Sequence, residues 1–363
     1  MRAGDVWWRR IGHSIRFAED VAHAMEDERG LILALPEKMP WKTTFYQVID
    51  EKWRSLHIDR HLERVEWREP VVRAGKPARS EVGSFVLKHL CDPRVAANYF
   101  PGRSCAEYLG KNEDLTMNDS YIWVTNIRTR ESLQKWVSFV REYESYARSL
   151  SRMAVFILEY SGPAQAYDGV PQHTYQAEEC HCRVFCLEML EIADKTQLPW
   201  MRNYMTELVL RNGRDDPELC DLLLQQGEAL MRKPEETLLR LLPQYTGESV
   251  LRLRPEITSN IREAMMVFLF PLLERCRLRF VAQYSEQLAP HLPIQNPMGD
   301  PIDLPQDLEW GQLWWLSRNV RQLIPADDAQ KVDRCRSLRN DLAHTNSPLI
   351  EFERIDAFMR YDA

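Results

Sequence analysis

Long apolar runs and an excess of basic residues are both missing from this sequence of 363 residues. No stretch approaches the roughly 20 apolar residues that a transmembrane helix needs, and the opening residues, MRAGDVWWRRIGHS, lack the apolar core of a signal peptide. The formal net charge of −7 argues against a protein that coats nucleic acid through a basic surface. We therefore expect a cytoplasmic protein that does not contact a membrane and that would bind RNA only through a local site.

The sequence has eight cysteines, too few for a disulfide-rich scaffold in a chain of 363 residues, and we expect these thiols to be reduced. One group, Cys180, His181, Cys182 and Cys186, brings four soft potential zinc ligands close together in sequence. A Cys-x-Cys pair that flanks a histidine does not easily aim every donor at one tetrahedral centre. We therefore predict no metal site, with zinc as the alternative, and interpret the segment as a strand running into a helix with Cys182 and Cys186 on the buried side.

Short apolar runs alternate with amphipathic segments in the first half of the chain. Three of these runs are typical of buried strands of a parallel sheet: residues 30–35, 121–127 and 154–160. Segments such as residues 45–56 and 131–150 have the apolar spacing of helices. This alternation predicts a parallel α/β domain.

The first predicted strand leads through the loop PEKMPWKTT into a helix, so that Lys42 and Thr43 precede the helix. This order resembles the start of a P-loop NTPase, in which glycine amides surround the phosphates, lysine reaches the terminal phosphates and Ser/Thr binds Mg²⁺. The two glycine positions are held here by Pro36, which lacks an amide donor, and Trp41, which does not readily adopt a glycine backbone. The resemblance implies a vestigial nucleotide site, for ATP or ADP, at Lys42 and Thr43. The alternative for Lys42 is a solvated loop cation.

The later strands extend this comparison. In a working P-loop enzyme, one strand ends in an Asp that holds Mg²⁺, often followed by a catalytic Glu. Here the strand 121–127 ends in Thr125 and Asn126, and only Glu159 in the next strand offers an acid. This layout, with the helical segments at 180–250, resembles the core and lid of AAA-like/STAND ATPases. The resemblance implies a degenerate P-loop domain without efficient ATP hydrolysis.

Helical patterns continue to the C-terminus beyond a change in composition near residue 254. A long pattern over residues 258–288 contains Pro271, which we expect to kink or divide the helix. Further short helical patterns make an up-and-down bundle plausible. The predicted fold class is α/β plus all-α, in three parts: a degenerate P-loop-type parallel sheet over residues 1–180, a helical lid over residues 181–254 and a helical bundle over residues 255–363.

Near the C-terminus, the hexapeptide RNDLAH sets Arg339, Asn340 and His344 close together. Arg-x4-His with a polar residue after the arginine resembles the motif of the HEPN superfamily, small helical bundles that include many metal-independent RNases. The resemblance covers residues 255–363. It implies a homodimer, because HEPN sites are usually assembled from two chains or two bundles.

The spacing also suggests how these side chains would work. If residues 327–344 form one helix, Arg336, Arg339 and Asn340 lie close to one face, and His344 follows Asn340 by one turn. In such a site His344 would be the general acid or base, Arg339 would stabilise charge on the phosphate, and Asn340 would orient one of them. The alternative is an ordinary helix C-terminus, with histidine at the negative end of the helix dipole.

Two functions from different classes follow. In the first, the protein is a prokaryotic defence or toxin-type effector, whose sensing, poorly hydrolytic NTPase-like domain controls a HEPN-like bundle that cuts or binds RNA. In the second, it is a non-catalytic scaffold or adaptor subunit of a larger, anti-phage complex. Retention of Arg339, Asn340 and His344 favours the first, and loss of glycine at Pro36 and Trp41 favours the second. We expect a homodimer or a subunit of a larger protein complex.

Overall fold

The computed structural model describes residues 1–56, 59–68, 82–100, 102–163, 167, 169–193, 197–296, 298–344 and 347–363. The chain divides into two compact units, Met1–Ala177 and Glu178–Ala363. In the described ranges, unit 1 contains a parallel sheet with helices, and unit 2 is helical apart from a small hairpin. An α/β part followed by a helical part is therefore the observed fold class. Among the described helices, none has the length and apolar character needed to cross a membrane.

The described part of unit 1 is built from five strands and seven α-helices. The strands are β1 (Leu31–Ala34), β2 (His61–Glu66), β3 (Ser120–Ile127), β4 (Val155–Tyr160) and β5 (Gln172–Thr174). The helices are α1 (Ala3–Arg10), α2 (Gly12–Glu26), α3 (Lys42–Leu56), α4 (Val82–His89), α5 (Pro93–Ala97), α6 (Cys105–Gly110) and α7 (Arg130–Ala147), with a 3₁₀ turn at Thr116–Asp119.

The five strands form one parallel sheet in the order β2-β3-β4-β1-β5. From β1 the chain crosses to the edge strand β2, whereas from β4 it crosses in the opposite direction, past β1, to β5. In open α/β sheets, ligands bind outside the carboxyl ends of the strands where the direction of the connections reverses. That position lies here between the carboxyl ends of β1 and β4.

Helices cover both faces of the sheet. On one face Trp136 of α7 packs against Phe156 of β4, with ring centroids 6.2 Å apart. On the other face Phe45 of α3 packs edge-on against Trp123 of β3 at 6.0 Å. Because both faces are buried, the strands β1, β3 and β4 need continuous apolar sequence, and these three predicted strands are confirmed.

Two strands at the sheet edges were not predicted. β2 has the sequence HLERVE and is mostly exposed or half-buried, so it lacks an apolar run. β5 contains only three residues, which are half-buried or exposed. Edge strands have one paired side and tolerate polar sequence, so apolar periodicity does not detect them.

The described part of unit 2 contains ten α-helices and a two-stranded hairpin. The helices are α8 (Glu179–Ala193), α9 (Pro199–Gly213), α10 (Pro217–Leu224), α11 (Glu228–Arg232), α12 (Pro234–Thr246), α13 (Val250–Gln283), α14 (Ser285–Leu288), α15 (Trp310–Asn319), α16 (Ala326–Ala343) and α17 (Phe352–Tyr361). The antiparallel strands are β6 (Ile294–Gln295) and β7 (Pro301–Ile302), and 3₁₀ turns lie at Ala289–His291 and Pro305–Asp307.

Helix α13 continues for 34 residues through Pro271, so the prediction that this proline divides the helix is wrong. Proline removes the hydrogen bond to the carbonyl of Val267, one turn earlier. Both residues are on the exposed side of the helix, where water can satisfy that carbonyl. The predicted boundary between residues 254 and 255 falls inside the same helix, and residues 178–363 belong to one compact unit.

The cysteine-rich segment is helical from its start. Helix α8 begins at Glu179, so the predicted strand before the helix is wrong. Cys182 and Cys186 are both buried, as predicted, because residues four apart lie on the same helical face. Local spacing therefore indicated the buried face correctly but not the start of the helix.

Candidate functional site

One residue of the loop between β1 and α3 has a backbone conformation that favours glycine, although the residue is a tryptophan. Trp41, the residue directly before α3, has a φ of +41°, in the left-handed region that favours glycine. The expectation that a tryptophan would not adopt this conformation is therefore wrong. The indole N–H of Trp8 donates to the carbonyl of Pro40 (2.9 Å), and Gly4 approaches Trp41 so closely that a Cβ there would lie 2.8 Å from its ring. Helix α1 thus holds the loop in place.

Lys42 is the first residue of α3, and its side chain pairs with Glu159 of β4. The ammonium nitrogen lies 2.5 Å from Oε1 of Glu159. The lysine side chain is 43% exposed, whereas that of Glu159 is 1% exposed. Lys42 is therefore a partner of a buried carboxylate rather than a solvated loop cation.

Two further groups hold the Glu159 carboxylate. The hydroxyl of Tyr46, one turn along α3 from Lys42, donates to Oε2 (2.6 Å), and the indole N–H of Trp123 donates to the same oxygen (3.0 Å). Burial and the neighbouring Glu159 charge raise the pKa of the Tyr46 hydroxyl, so it stays protonated and donating. We call Lys42, Tyr46, Trp123 and Glu159 the Glu159 cluster; it lies where β1 and β4 end, the predicted ligand position of the sheet.

Beside this cluster lies a second ion pair that sequence analysis missed. Arg64 of β2 binds both carboxylate oxygens of Asp50 on α3. Its guanidinium carbon also lies 4.5 Å from the ring centroid of Tyr46 and 5.0 Å from that of Trp123. Asp50 and Arg64 are fourteen residues apart in sequence, and no motif links them. The guanidinium of Arg64 therefore lies against the two aromatic side chains that donate hydrogen bonds to Glu159.

Thr43 lies next to Lys42 on the exposed first turn of α3. For this side chain the described residues provide no hydrogen-bond partner. The structure therefore places both predicted nucleotide-binding residues at the N-terminus of a 15-residue helix, where amide groups favour an anion. A phosphate would have to draw Lys42 away from Glu159.

The end of β3 does not supply the acid of a P-loop enzyme. Thr125 and Asn126 instead donate side-chain hydrogen bonds to the carbonyls of Val65 (3.3 Å) and Trp67 (2.9 Å). Both groups thus join β3 to the neighbouring strand and its extension. The acid of the next strand is Glu159, and its carboxylate already accepts three donors.

In unit 2, helix α16 carries Arg339 and Asn340 but ends before His344. His344 is the C-cap residue, with extended backbone angles (φ −101°, ψ 114°), and its N–H donates to the carbonyl of Asn340 (3.1 Å). The predicted helix 327–344 therefore matches α16 apart from its last residue. Because helical periodicity stops at Ala343, it does not place His344 on the face of Arg339.

Three side chains of the RNDLAH motif, those of Arg339, Asn340 and His344, reach the surface at least in part. Arg339 and Asn340 are half-buried and His344 is exposed. Within the described ranges, the side chains of Arg339, Asn340 and His344 make no hydrogen bond or ion pair, either with one another or with other residues. In the described residues, the three predicted catalytic side chains thus lie at one helix end without a hydrogen bond or ion pair between them.

Arg262 of α13 holds the peptide on which His344 lies. Its guanidinium donates to the carbonyls of His344 (2.9 Å) and Ser347 (2.6 Å). With the N–H bond to Asn340, the backbone of His344 is fixed from both sides. Sequence analysis missed Arg262 because it lies 82 residues away in the chain.

Two other charged residues of α16, Arg336 and Asp341, have partners of their own. The guanidinium of Arg336 stacks on the ring of Trp314 from α15, 4.0 Å from its centroid. Asp341, inside the motif, pairs with Arg354 of α17 at 2.7 Å. Arg336 therefore belongs to a neighbouring surface formed with Trp314, and it is not a partner of the Arg339 side chain.

Potential metal ligands meet at the start of α8, but not in the predicted combination. Glu178, Cys180 and His181 have ligand atoms within 4.8 Å of one another. Glu178 and Cys180 are exposed, and Nδ1 of His181 already accepts the N–H of Glu178 (3.1 Å). Cys182 and Cys186 point into the core instead. Nothing in this geometry favours a metal over ordinary surface contacts.

No model of a known protein family matches the sequence of this chain, and no curated protein matches it either.

Proposed function

We propose that this protein is a prokaryotic defence or toxin-type effector with a P-loop-like regulatory unit and a HEPN-like unit that cuts RNA. Unit 1 would sense a signal without hydrolysing ATP efficiently. Unit 2 would carry the chemistry, through Arg339, Asn340 and His344. The observation that carries the proposal is the arrangement of Arg339 and His344, whose side chains have no partner in the described residues while the His344 backbone is anchored by Arg262.

Support for a P-loop-like unit comes from position rather than from motif. Lys42 and Thr43 begin the helix after β1, an interior strand, and Glu159 lies on the adjacent strand β4. A lysine that reaches a phosphate in a P-loop protein here reaches a buried carboxylate instead. The ion pair between Lys42 and Glu159 would therefore keep Lys42 away from a phosphate. A nucleotide would bind weakly because it must compete with this ion pair.

Support for RNA cleavage comes from the chemistry at the end of α16. Imidazole is the side chain best suited to accept and return a proton near neutral pH. An arginine side chain next to it can stabilise the charge that develops on the phosphate. In the described residues, no hydrogen bond joins the two side chains within one chain. We propose that a second copy of the chain completes the site, as the resemblance to HEPN proteins implies.

The RNase proposal is tested by expressing wild-type protein, His344→Ala and Arg339→Ala and measuring growth and the integrity of total RNA. We expect the wild type to slow growth and cut RNA once activated, and both variants to leave RNA intact. His291→Ala is the matched control, because His291 is an exposed histidine of the same unit outside the motif. Intact RNA and equal growth for the wild type and His344→Ala would refute the proposal.

The nucleotide proposal has its own test. We expect Glu159→Gln to bind ATP more tightly than the wild type, because a neutral amide competes less strongly for the Lys42 ammonium. Thr43→Ala should weaken binding without disturbing the cluster, since Thr43 is exposed. Calorimetric titration with ATP and Mg²⁺ measures both effects. Absence of binding to both the wild type and Glu159→Gln would remove nucleotide from the mechanism.

A scaffold function is the second candidate, and an exposed apolar surface on α13 favours it. Met266, Val267, Phe270 and Leu278 are 41–46% exposed and lie at helical spacing. Apolar surface of this kind is typical of protein interfaces. If the protein is a scaffold, Phe270→Glu should abolish assembly, measured by sedimentation, while His344→Ala has no effect on RNA or growth.

A further inference from the structure

An open groove in unit 2 is lined by Arg336 of α16, three residues before the RNDLAH motif. It has a volume of about 640 Å³ and is formed by the β6–β7 hairpin, the first turns of α15 and Arg336 of α16. Its walls include Gln295 on β6 and Gln312, Trp314 and Trp315 on α15. None of these residues belongs to the RNDLAH motif. The groove therefore forms a separate surface of the same unit.

Tryptophan rings and an arginine guanidinium group are prominent in the lining of the groove. Trp315 is 50% exposed, although large aromatic side chains are usually buried. Trp314 lies under the guanidinium of Arg336 at 4.0 Å, and the guanidinium of Arg318 lies 5.9 Å from the same ring. Flat rings and guanidinium planes are the surfaces on which unpaired nucleobases stack.

Amide groups supply polar contacts along the same wall. Within the described residues, the side-chain amide of Gln295 makes no hydrogen bond and is exposed. Gln312 uses its Oε1 to accept the N–H of Glu309 (3.1 Å), which leaves its NH₂ group free to donate. An amide that donates and accepts can pair with the edge of a base. The groove thus combines a stacking plane with hydrogen-bonding groups, as a base pocket requires.

Arg336 links the groove to the motif. It precedes Arg339 by three residues and Asn340 by four, so the three lie on neighbouring positions of one helical face. A nucleotide whose base occupied the groove would have its phosphate near the cationic side chains of α16. Guanidinium groups suit that phosphate, which gives the groove charge complementarity to a nucleic acid strand.

We propose that this groove binds one unpaired base of a single-stranded RNA and so positions the adjacent phosphate at Arg339 and His344. The inference rests on the proposed function, because it takes RNA as the substrate. Duplex RNA would not fit this role, since its bases are stacked and paired and its narrow major groove hides their edges. Trp315 and Arg336 are therefore binding residues, not catalytic ones.

The test measures binding separately from cleavage. His344→Ala protein, which we expect not to cut, is titrated with a labelled single-stranded RNA oligonucleotide and fluorescence anisotropy gives the Kd. In this background Trp315→Ala and Arg336→Gln should each weaken binding, the former about tenfold or more. Tyr361→Ala and Arg252→Ala are matched controls, because both side chains are exposed and neither lines the groove. The controls should leave Kd nearly unchanged.

An oligonucleotide with abasic sites distinguishes base from phosphate contacts. If a base fills the groove, the abasic strand should bind less tightly, and Trp315→Ala should no longer change its Kd. Equal weakening of intact and abasic strands by Trp315→Ala, or Kd values equal to those of the controls, would overturn the proposal. Thermal unfolding of each variant verifies that the fold is retained.

The two proposals fail in different ways. Loss of binding in Trp315→Ala together with uncut RNA in the wild type supports the groove and refutes the RNase activity. RNA cleavage that depends on His344, with a Kd that Trp315→Ala does not change, refutes the groove and supports the RNase activity. No binding of single-stranded RNA to the His344→Ala protein refutes the groove.

Discussion

The ammonium group of Lys42 lies 2.5 Å from the buried carboxylate of Glu159, on the strand next to the one that Lys42 follows. A carboxylate that is 1% exposed would be costly without a cation and hydrogen-bond donors. The pair therefore has a structural role whether or not unit 1 binds a nucleotide. A phosphate that approached Lys42 would have to displace this carboxylate first.

Removing the cation should destabilise the protein in the absence of any ligand. We expect Lys42→Ala to lower the free energy of unfolding by about 2 kcal/mol, below the roughly 3–5 kcal/mol of a fully buried pair, because the lysine is partly exposed. Chemical denaturation measures the change. Lys52→Ala is the matched control on the same helix, since its pair with Glu19 is at the surface and should cost less than about 1 kcal/mol.

The double variant Lys42→Ala/Glu159→Gln separates the charge from the packing. A neutral glutamine can still contact Tyr46 and Trp123, so the double variant should be more stable than Lys42→Ala alone. If the losses in free energy of unfolding of Lys42→Ala and Glu159→Gln sum to that of the double variant, the carboxylate does not depend on the lysine. In that case the structural role assigned to the pair is wrong.

If His344 is catalytic as proposed, Arg262 positions its backbone, and the loss of Arg262 should affect turnover rather than RNA affinity. We expect Arg262→Ala to lower kcat for RNA cleavage roughly ten- to hundredfold by releasing the His344 peptide, with little change in KM. Arg262→Lys should recover only part of the rate, because an ammonium lacks the fork that reaches two carbonyls. Arg252→Ala, at an exposed position of the same helix, serves as the control. A fall in stability that accounts for the whole loss would contradict this role.

Gly4 should tolerate no side chain. A Cβ at this position would lie 2.8 Å from Oγ1 of Thr44 and from the ring of Trp41, so Gly4→Ala should cost about 1–3 kcal/mol of stability. Gly12→Ala is the matched control in the next helix, because a Cβ at that position would meet no atom within 4 Å. Thermal unfolding should show a lower Tm for the first variant alone. Equal Tm values would show that the loop moves away at little cost.

Glu144 should make stability depend on pH. Burial raises the pKa of its carboxyl above the ordinary value near 4.5, while it accepts the N–H of Gly30 at 2.6 Å. The folded state then retains this proton to higher pH than the unfolded chain. The protonated Glu144 carboxyl therefore stabilises the folded state at pH values below its pKa in the unfolded chain. This stabilisation is lost as the pH rises through its pKa in the folded state.

The variant Glu144→Gln isolates this effect. It keeps an acceptor for Gly30 but cannot ionise, so it should be at least as stable as the wild type near neutral pH and lose the carboxyl's part of the pH dependence. Both proteins are unfolded at a series of pH values from roughly 4 to 8, which spans the ordinary carboxyl pKa and the region above it. Parallel curves for wild type and variant would show that Glu144 does not contribute.

Sequence patterns predicted the buried elements because burial imposes a pattern. The strands β1, β3 and β4 have continuous apolar runs, and α16 has the length expected from residues 327–344. The edge strands β2 and β5 were missed because polar residues are tolerated there. The exposed proline of α13 was misjudged because this helix also carries apolar residues, such as Val267 and Phe270, on its exposed side, so the apolar pattern does not show which side faces water.

The contacts that define the sites were beyond sequence reasoning. Lys42 and Glu159 are separated by 117 residues, and Arg262 and His344 by 82. Each residue was visible as a charged or polar group, but only the fold sets the partner. Glu159 was identified as the acid of β4, yet its role as the partner of Lys42 depends on β1 and β4 being neighbours in the sheet.

The unbroken course of α13 limits how unit 2 can be divided. A helix of 34 residues is about 50 Å long. Its N-terminal half includes Ile257 and Ile261, and its C-terminal half includes Leu273 and Phe280, all buried in unit 2. A fragment starting at residue 255 would begin five residues inside this helix and expose apolar surface that the preceding helices cover. One continuous helix therefore joins the helices before residue 250 to those after residue 283.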